Sequence, residues 1–232
     1  MKMLKNVKGF TLVETLFALF IGVVLLGAIY VAMEAGQRSS VAMEGKVVAQ
    51  QDVRAILEIM TLEIGMASYN PNFVTGVWLN PTGNCTAVGN QAYKGIQVAT
   101  VNSITVEMDI GESNAVGDNP NEIIAYVYDT ANQRITRETN CGGGQPFLGE
   151  VPGTQGRSVR VINNTLNIPV FRYFDGLGVE IAAASLPAGI PNIRRIEITL
   201  VVETENIAPD TQQRRRMIYS TSVIPRNHPI NL

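Results

Sequence analysis

Few residues in this chain are placed to do chemistry, and the most telling is Glu14. It is the only charged residue between Lys8 and Glu34. A carboxylate inside a membrane-length apolar helix costs roughly 2.5–3.5 kcal/mol at the helix centre and somewhat less near an end. A group that costly implies a partner, so Glu14 is a candidate functional residue. Other candidates point elsewhere. Asp109, Glu112, Asp118 and Glu122 lie in a Gly/Asn-rich stretch; converging oxygens would suit calcium, but the spacing matches no EF-hand loop, and no metal site is predicted. Arg214-Arg215-Arg216 is the densest charge run. It reads either as a site for an acidic partner or lipid headgroups, or as the solvated start of a strand. Gly142-Gly143-Gly144 is followed by no Lys-Ser/Thr pair and reads as an exposed connector, not a phosphate loop. His228 is the only histidine. With no Ser/His/Asp set, nucleophilic catalysis is not expected, and no enzyme activity or cofactor is predicted.

The elements that position these residues begin with a leader. Residues 1–9 carry Lys2, Lys5 and Lys8 and no acid, which holds that end in the cytoplasm. Leu16 to Met33 is an unbroken run of apolar or small residues. With Phe10 to Thr15 it makes a span over 10–33 of about 24 residues, enough to cross a hydrocarbon core of about 30 Å. No small-x-small triplet closes the run, which excludes an ordinary secretory signal peptide. An uncleaved signal anchor stays open. From 34 to 68 the helix is expected to continue, now amphipathic. Val53, Ile56, Leu57, Met60 and Ile64 share one face, and Arg54, Glu58, Thr61 and Gly65 share the other. Phe10 to about Ser68 would be near 85–90 Å long. Gly22, Gly27, Gly36 and Gly45 are weak points along it, and Tyr69-Asn70-Pro71-Asn72 closes it.

Residues 69–232 read as a β-rich domain. Ile96–Val101 and Ile104–Ile110 form one predicted hairpin, Ile123–Tyr128 and Gln133–Glu138 a second. Val159–Ile162 is a short strand, and Ile168–Phe174 is an aromatic-rich one that ends at the turn signal Asp175-Gly176. Ile196 to Glu203 alternates as a half-buried strand should, and Met217 to Val223 closes the series before Pro225. Trp78 reads as a lid on the core. The predicted class is α+β, a long N-terminal helix packed on an antiparallel sheet.

Charge and cysteines narrow the function classes. Formal net charge is −2; without the three leader lysines, 15 basic groups face 20 acidic ones, a net charge near −5. That is a poor footprint for nucleic acid. Beyond the apolar run the chain is expected outside the cytoplasm, where Cys85 and Cys141 would form one disulfide worth roughly 3–4 kcal/mol. Two buried free thiols also fit. A metal or redox pair would need CxxC spacing or histidine help.

Gly9-Phe10-Thr11-Leu12-Val13-Glu14, behind its basic leader, resembles the processing site of type IV prepilins and of the pseudopilins of type II secretion. The resemblance implies a pilin fold, cleavage between Gly9 and Phe10 by a prepilin peptidase, N-methylation of Phe10 by the same enzyme, and pairing of Glu14 with a neighbouring subunit's N-terminal amine. Many members carry a proline where Val31 stands here. Residues 170–176, 193–200 and 222–227 are similar to the larger minor pilins and J-type pseudopilins. This implies a low-abundance subunit that primes or caps filaments. Its partners would be other minor pilins or pseudopilins and the major pilin, through the N-terminal helix, and an inner-membrane assembly platform. The expected location is a single-pass inner-membrane precursor with its domain in the periplasm, and afterwards a pilus or pseudopilus. A signal-anchored periplasmic binding module that never assembles is the reading from another class.

Overall fold

The structure, a computed structural model, describes residues 9–149, 159–205, 207–208 and 211–228; the lysine leader lies outside them. One helix dominates. α1 runs unbroken from Leu12 to Gly65 over 54 residues, about 80 Å at 1.5 Å per residue. It contains no proline and continues through all four internal glycines. Only its last third is clothed. From Leu12 to Val48 every large apolar side chain is exposed, whereas Ala49, Val53, Leu57, Met60 and Ile64 are buried. Spacings of three and four put these five on one stripe.

The helix stops earlier than the Asn70-Pro71 signal implies. Met66 caps it, and Ser68 takes a left-handed conformation at φ 68°. Tertiary contacts explain the difference. The Ser68 N–H donates to the Glu107 carbonyl at 2.8 Å, and its hydroxyl donates to the Lys94 carbonyl. Gly95 makes room for this turn: a Cβ there would sit 2.7 Å from the Ser68 Cα.

Two antiparallel sheets follow. The first has order β1-β2-β3-β4-β5, from Ile96–Ala99, Ser103–Glu107, Ile123–Asp129, Arg134–Thr139 and Gln145–Leu148. β5 falls in residues 139–157, a stretch rich in Gly, Pro and Asn that reads as a loop; its Pro146 lies at the sheet's edge, where proline is tolerated. The second is built on β8 (Arg195–Thr204). β9 (Arg216–Val223) pairs along one side of it. On the other side β7 (Phe171–Phe174) pairs with residues 195–198 and β6 (Val159–Val161) with residues 202–204. Between those two partners the Asn163 side chain replaces a strand. Its Oδ1 accepts the Val201 N–H at 2.8 Å and its Nδ2 donates to the carbonyls of Thr199 and Ile168.

α1 packs against β9, β8 and β5, so both sheets share one core with the helix stripe. A separate small cluster holds Val77, Trp78, Cys85, Val116 and Ile123. Trp78 therefore closes a satellite core under the loops, not the main one.

Candidate functional site

Gly9 and Phe10 precede the helix as exposed chain without regular structure, with Phe10 90% exposed. Thr11 is extended, at φ −79° and ψ 153°, and forms the N-cap. Its hydroxyl oxygen accepts the Glu14 N–H at 3.3 Å, while a Glu14 carboxylate oxygen accepts the Thr11 N–H at 2.9 Å. This reciprocal pair is a capping box, and it satisfies two backbone donors that the start of a helix leaves without partners. The Thr11 hydroxyl also donates to Glu14 at 2.9 Å. A carboxylate in the first turn is favoured by the helix dipole as well. Glu14 thus has a partner within its own chain. The sequence carried the signal, Thr-x-x-Glu ahead of an apolar run, but a reading centred on the lone charge overlooked it.

The arrangement separates two kinds of backbone. Inside α1 the peptide groups are tied into the helix ladder. The Gly9–Phe10 bond lies outside it, between two exposed residues. Glycine on one side of that bond leaves the approach uncrowded; a Cβ on Gly9 would meet nothing within 4 Å. The 54-residue helix behind is long and apolar enough to cross a membrane, and the protein buries none of its most apolar 18-residue window.

The other candidates are dispersed. Cys85 and Cys141 are bonded as a disulfide, with Cα atoms 5.8 Å apart. The bond ties the loop before β1 to the turn after β4 beside the satellite core. Val53, Leu57, Met60 and Ile64 are buried in the main core, and Ile56 packs against it half-buried. Gly65, read as solvent-facing, is half-buried with its Cα side against β9; a Cβ there would touch Val223 at 3.5 Å. Asp109 and Glu122 are fully buried and organise their loop. Asp109 accepts the N–H groups of Ser113 and Asn114 at 3.0 Å, and Glu122 accepts those of Gly111, Gly117 and Asn119 at 2.9–3.0 Å. Glu112 accepts the Tyr69 hydroxyl at 3.0 Å. Asp109 and Glu122 thus hold backbone N–H groups, and Glu112 a side-chain hydroxyl. His228 is buried at the end of the described chain, its Nδ1 2.9 Å from the Ser68 hydroxyl and its Nε2 3.1 Å from the Ile190 carbonyl. Burial pushes its pKa down. It clasps the C-terminal segment to the turn after α1.

Two charged groups escaped sequence reasoning because only the fold brings their partners together. Glu63 on α1 takes a bidentate pair from Arg137 of β4, at 2.6 and 3.0 Å, and accepts the Tyr126 hydroxyl of β3. Hydrogen bonding from Glu63 raises the Arg137 pKa, and burial followed by the Glu63 bond raises that of Tyr126. Glu107 on β2 is fully buried; one oxygen accepts the Leu79 N–H at 2.9 Å, and the other has no hydrogen-bond partner among the described residues. Burial pushes its pKa up to about 8.

Comparison with known proteins fits the N-terminal geometry. Residues 4–30 match the family model of the prokaryotic N-terminal methylation motif. No curated protein and no solved structure matches the chain. The chain therefore carries a type IV prepilin-like motif at its N-terminus, on the segment where the exposed Gly9–Phe10 bond meets the capped apolar helix.

Proposed function

We propose that this chain is a minor type IV pilin, a structural subunit that helps prime or cap filaments after its leader is removed. The match over residues 4–30 carries the reading. The motif marks a pilin- or pseudopilin-like protein. The long loops around the two sheets favour a minor over a major pilin; the C-terminal similarity is to larger minor pilins and J-type pseudopilins alike, and the alternative reading is a J-type pseudopilin of type II secretion.

In this reading residues 10–33 span the inner membrane and 34–68 carry the helix into a periplasmic domain. Prepilin peptidase cuts the exposed Gly9–Phe10 bond and methylates the new Phe10 amine. That amine lies one residue from the Thr11 N–H that Glu14 already accepts. Glu14 can then serve its own helix start or the amine of an incoming subunit. In low dielectric an unpaired carboxylate is strongly disfavoured, so the ion pair sets the axial register between neighbours. The exposed apolar face of α1 supplies the packing surface for other pilins.

Mass spectrometry of the protein purified from its native membrane tests the reading. The expected mature N-terminus is N-methylated Phe10, and Gly9→Leu should leave full-length precursor. A native chain that keeps Met1 and its lysines overturns the proposal. So does a deletion strain with normal pili.

A further inference from the structure

The chain is acidic overall, yet five of its cations line one cleft. Where α1 emerges from the second sheet, a cleft of about 740 Å³ separates the helix from the start of β9. Lys46 and Arg54 line it from the helix; Arg214, Arg215 and Arg216 line it from the strand. No carboxylate lines it among the described residues. Lys46, Gln50 and Arg54 are four apart and so share one helix face. Lys46 and Arg54 are exposed, and neither forms an ion pair among the described residues. Arg214 and Arg216 are anchored: one donates to the Glu205 carbonyl at 2.8 Å, the other pairs with Glu203 at 2.7 Å.

The strand side of the cleft is an edge. Successive residues of a strand point to opposite faces. Ile218 belongs to one face and Met217 and Tyr219 to the other, yet all three line the cleft. A cleft lined by both parities runs along the strand's rim, where alternate N–H and C=O groups point outward. β9 pairs with β8 alone among the described residues. Ile218 is 58% exposed beside this rim.

We propose that this cleft receives an extended acidic segment of another protein, which adds to β9 as a further strand. Backbone groups of β9 supply the pairing, and Lys46 and Arg54 meet the carboxylates from the opposite wall. Charge decides between occupants. A second copy of β9 carries three arginines and no carboxylate over residues 214–223 and so offers Lys46 and Arg54 no counter-charge, and charged edge strands resist self-pairing. An acidic strand is drawn in instead. Lipid headgroups are out of reach if the helix crosses the membrane as proposed. Lys46 lies 13 residues beyond Met33, about 20 Å along the helix, whereas the headgroup layer adds only about 5–8 Å per side.

The full-length protein in detergent micelles tests this directly, with a short fluorescent peptide of alternating glutamate and valine as probe. The peptide should bind, and more weakly as salt rises. The double variant Lys46→Glu, Arg54→Glu should weaken binding by about tenfold or more, with an unchanged circular dichroism spectrum because both side chains are exposed. Methylating alternate backbone nitrogens of the peptide should abolish binding. Wild-type affinity in the double variant overturns the proposal, as does equal binding of the methylated peptide. Displacement of the peptide by phosphatidylglycerol in the micelle or by inorganic phosphate also overturns it. None of these outcomes depends on whether the leader is cut at Gly9.

Discussion

Single residues in this protein show how burial converts one side-chain type into different tools. Asp109 and Glu122 are fully buried, and each accepts several backbone N–H groups, so each pins a loop. Glu107 is equally buried with one oxygen unpartnered, and burial pushes its pKa from 4.5 to about 8. The folded state then holds a proton that the unfolded state releases. The contribution of this group to stability should be greatest below pH about 4.5, fall as pH rises through the interval up to about 8, and level off above it. Glu107→Gln keeps the shape and removes the charge. It should flatten that decline and raise the melting temperature at pH 8 relative to wild type, measured by thermal unfolding at pH 5 and pH 8. A wild-type slope in the variant would assign the pH dependence to another group.

Elements are joined by a few polar pins through an otherwise apolar core. The helix stripe from Ala49 to Ile64 gives α1 its affinity for the sheets, and Glu63 gives it a place. Its pair with Arg137 and the Tyr126 hydroxyl tie the last helical turns to β4 and β3. A stripe of apolar residues tolerates sliding by a turn; a bidentate guanidinium–carboxylate pair does not. Glu63→Ala leaves Arg137 and Tyr126 without their acceptor and should cost about 1.5–3 kcal/mol in urea unfolding. The double variant with Arg137→Ala should cost less than the sum of the two single changes. Asn163 does similar work in the second sheet, filling the gap in β8 between β7 and β6 so that two short strands can share one edge.

At the scale of the whole molecule, two-thirds of the helix packs its large apolar side chains against nothing among the described residues. Leu12 to Val48 is exposed throughout its large apolar side chains, a surface that the proposed function assigns to lipid and other subunits. Glu14 stands at the far end of that rod. Its two roles can be separated, because glutamine also closes a capping box. Glu14→Gln should keep the helix start and the domain's unfolding midpoint, yet reduce recovery of the subunit in sheared filaments. Unchanged recovery would show that the cap, not the charge, is what the residue contributes.

Periodicity and local chemistry made the long helix, most of the strands and the α+β class legible in the sequence, and the prepilin-like motif with them. Each of these is written in neighbours a few residues apart: an apolar run, alternation along Ile196–Glu203, a glycine and a phenylalanine ahead of a glutamate. What the sequence could not determine is what depends on residues far apart meeting. The helix end at Gly65 is set by Ser68 reaching Glu107 and Lys94. Asn163 lets β6 and β7 share one edge of β8, the unpartnered oxygen belongs to Glu107, and the basic cleft joins residue 46 to residue 216. Burial and pairing at such distances are products of the packed chain, because solvent exclusion and hydrogen-bond geometry exist only once the elements are together.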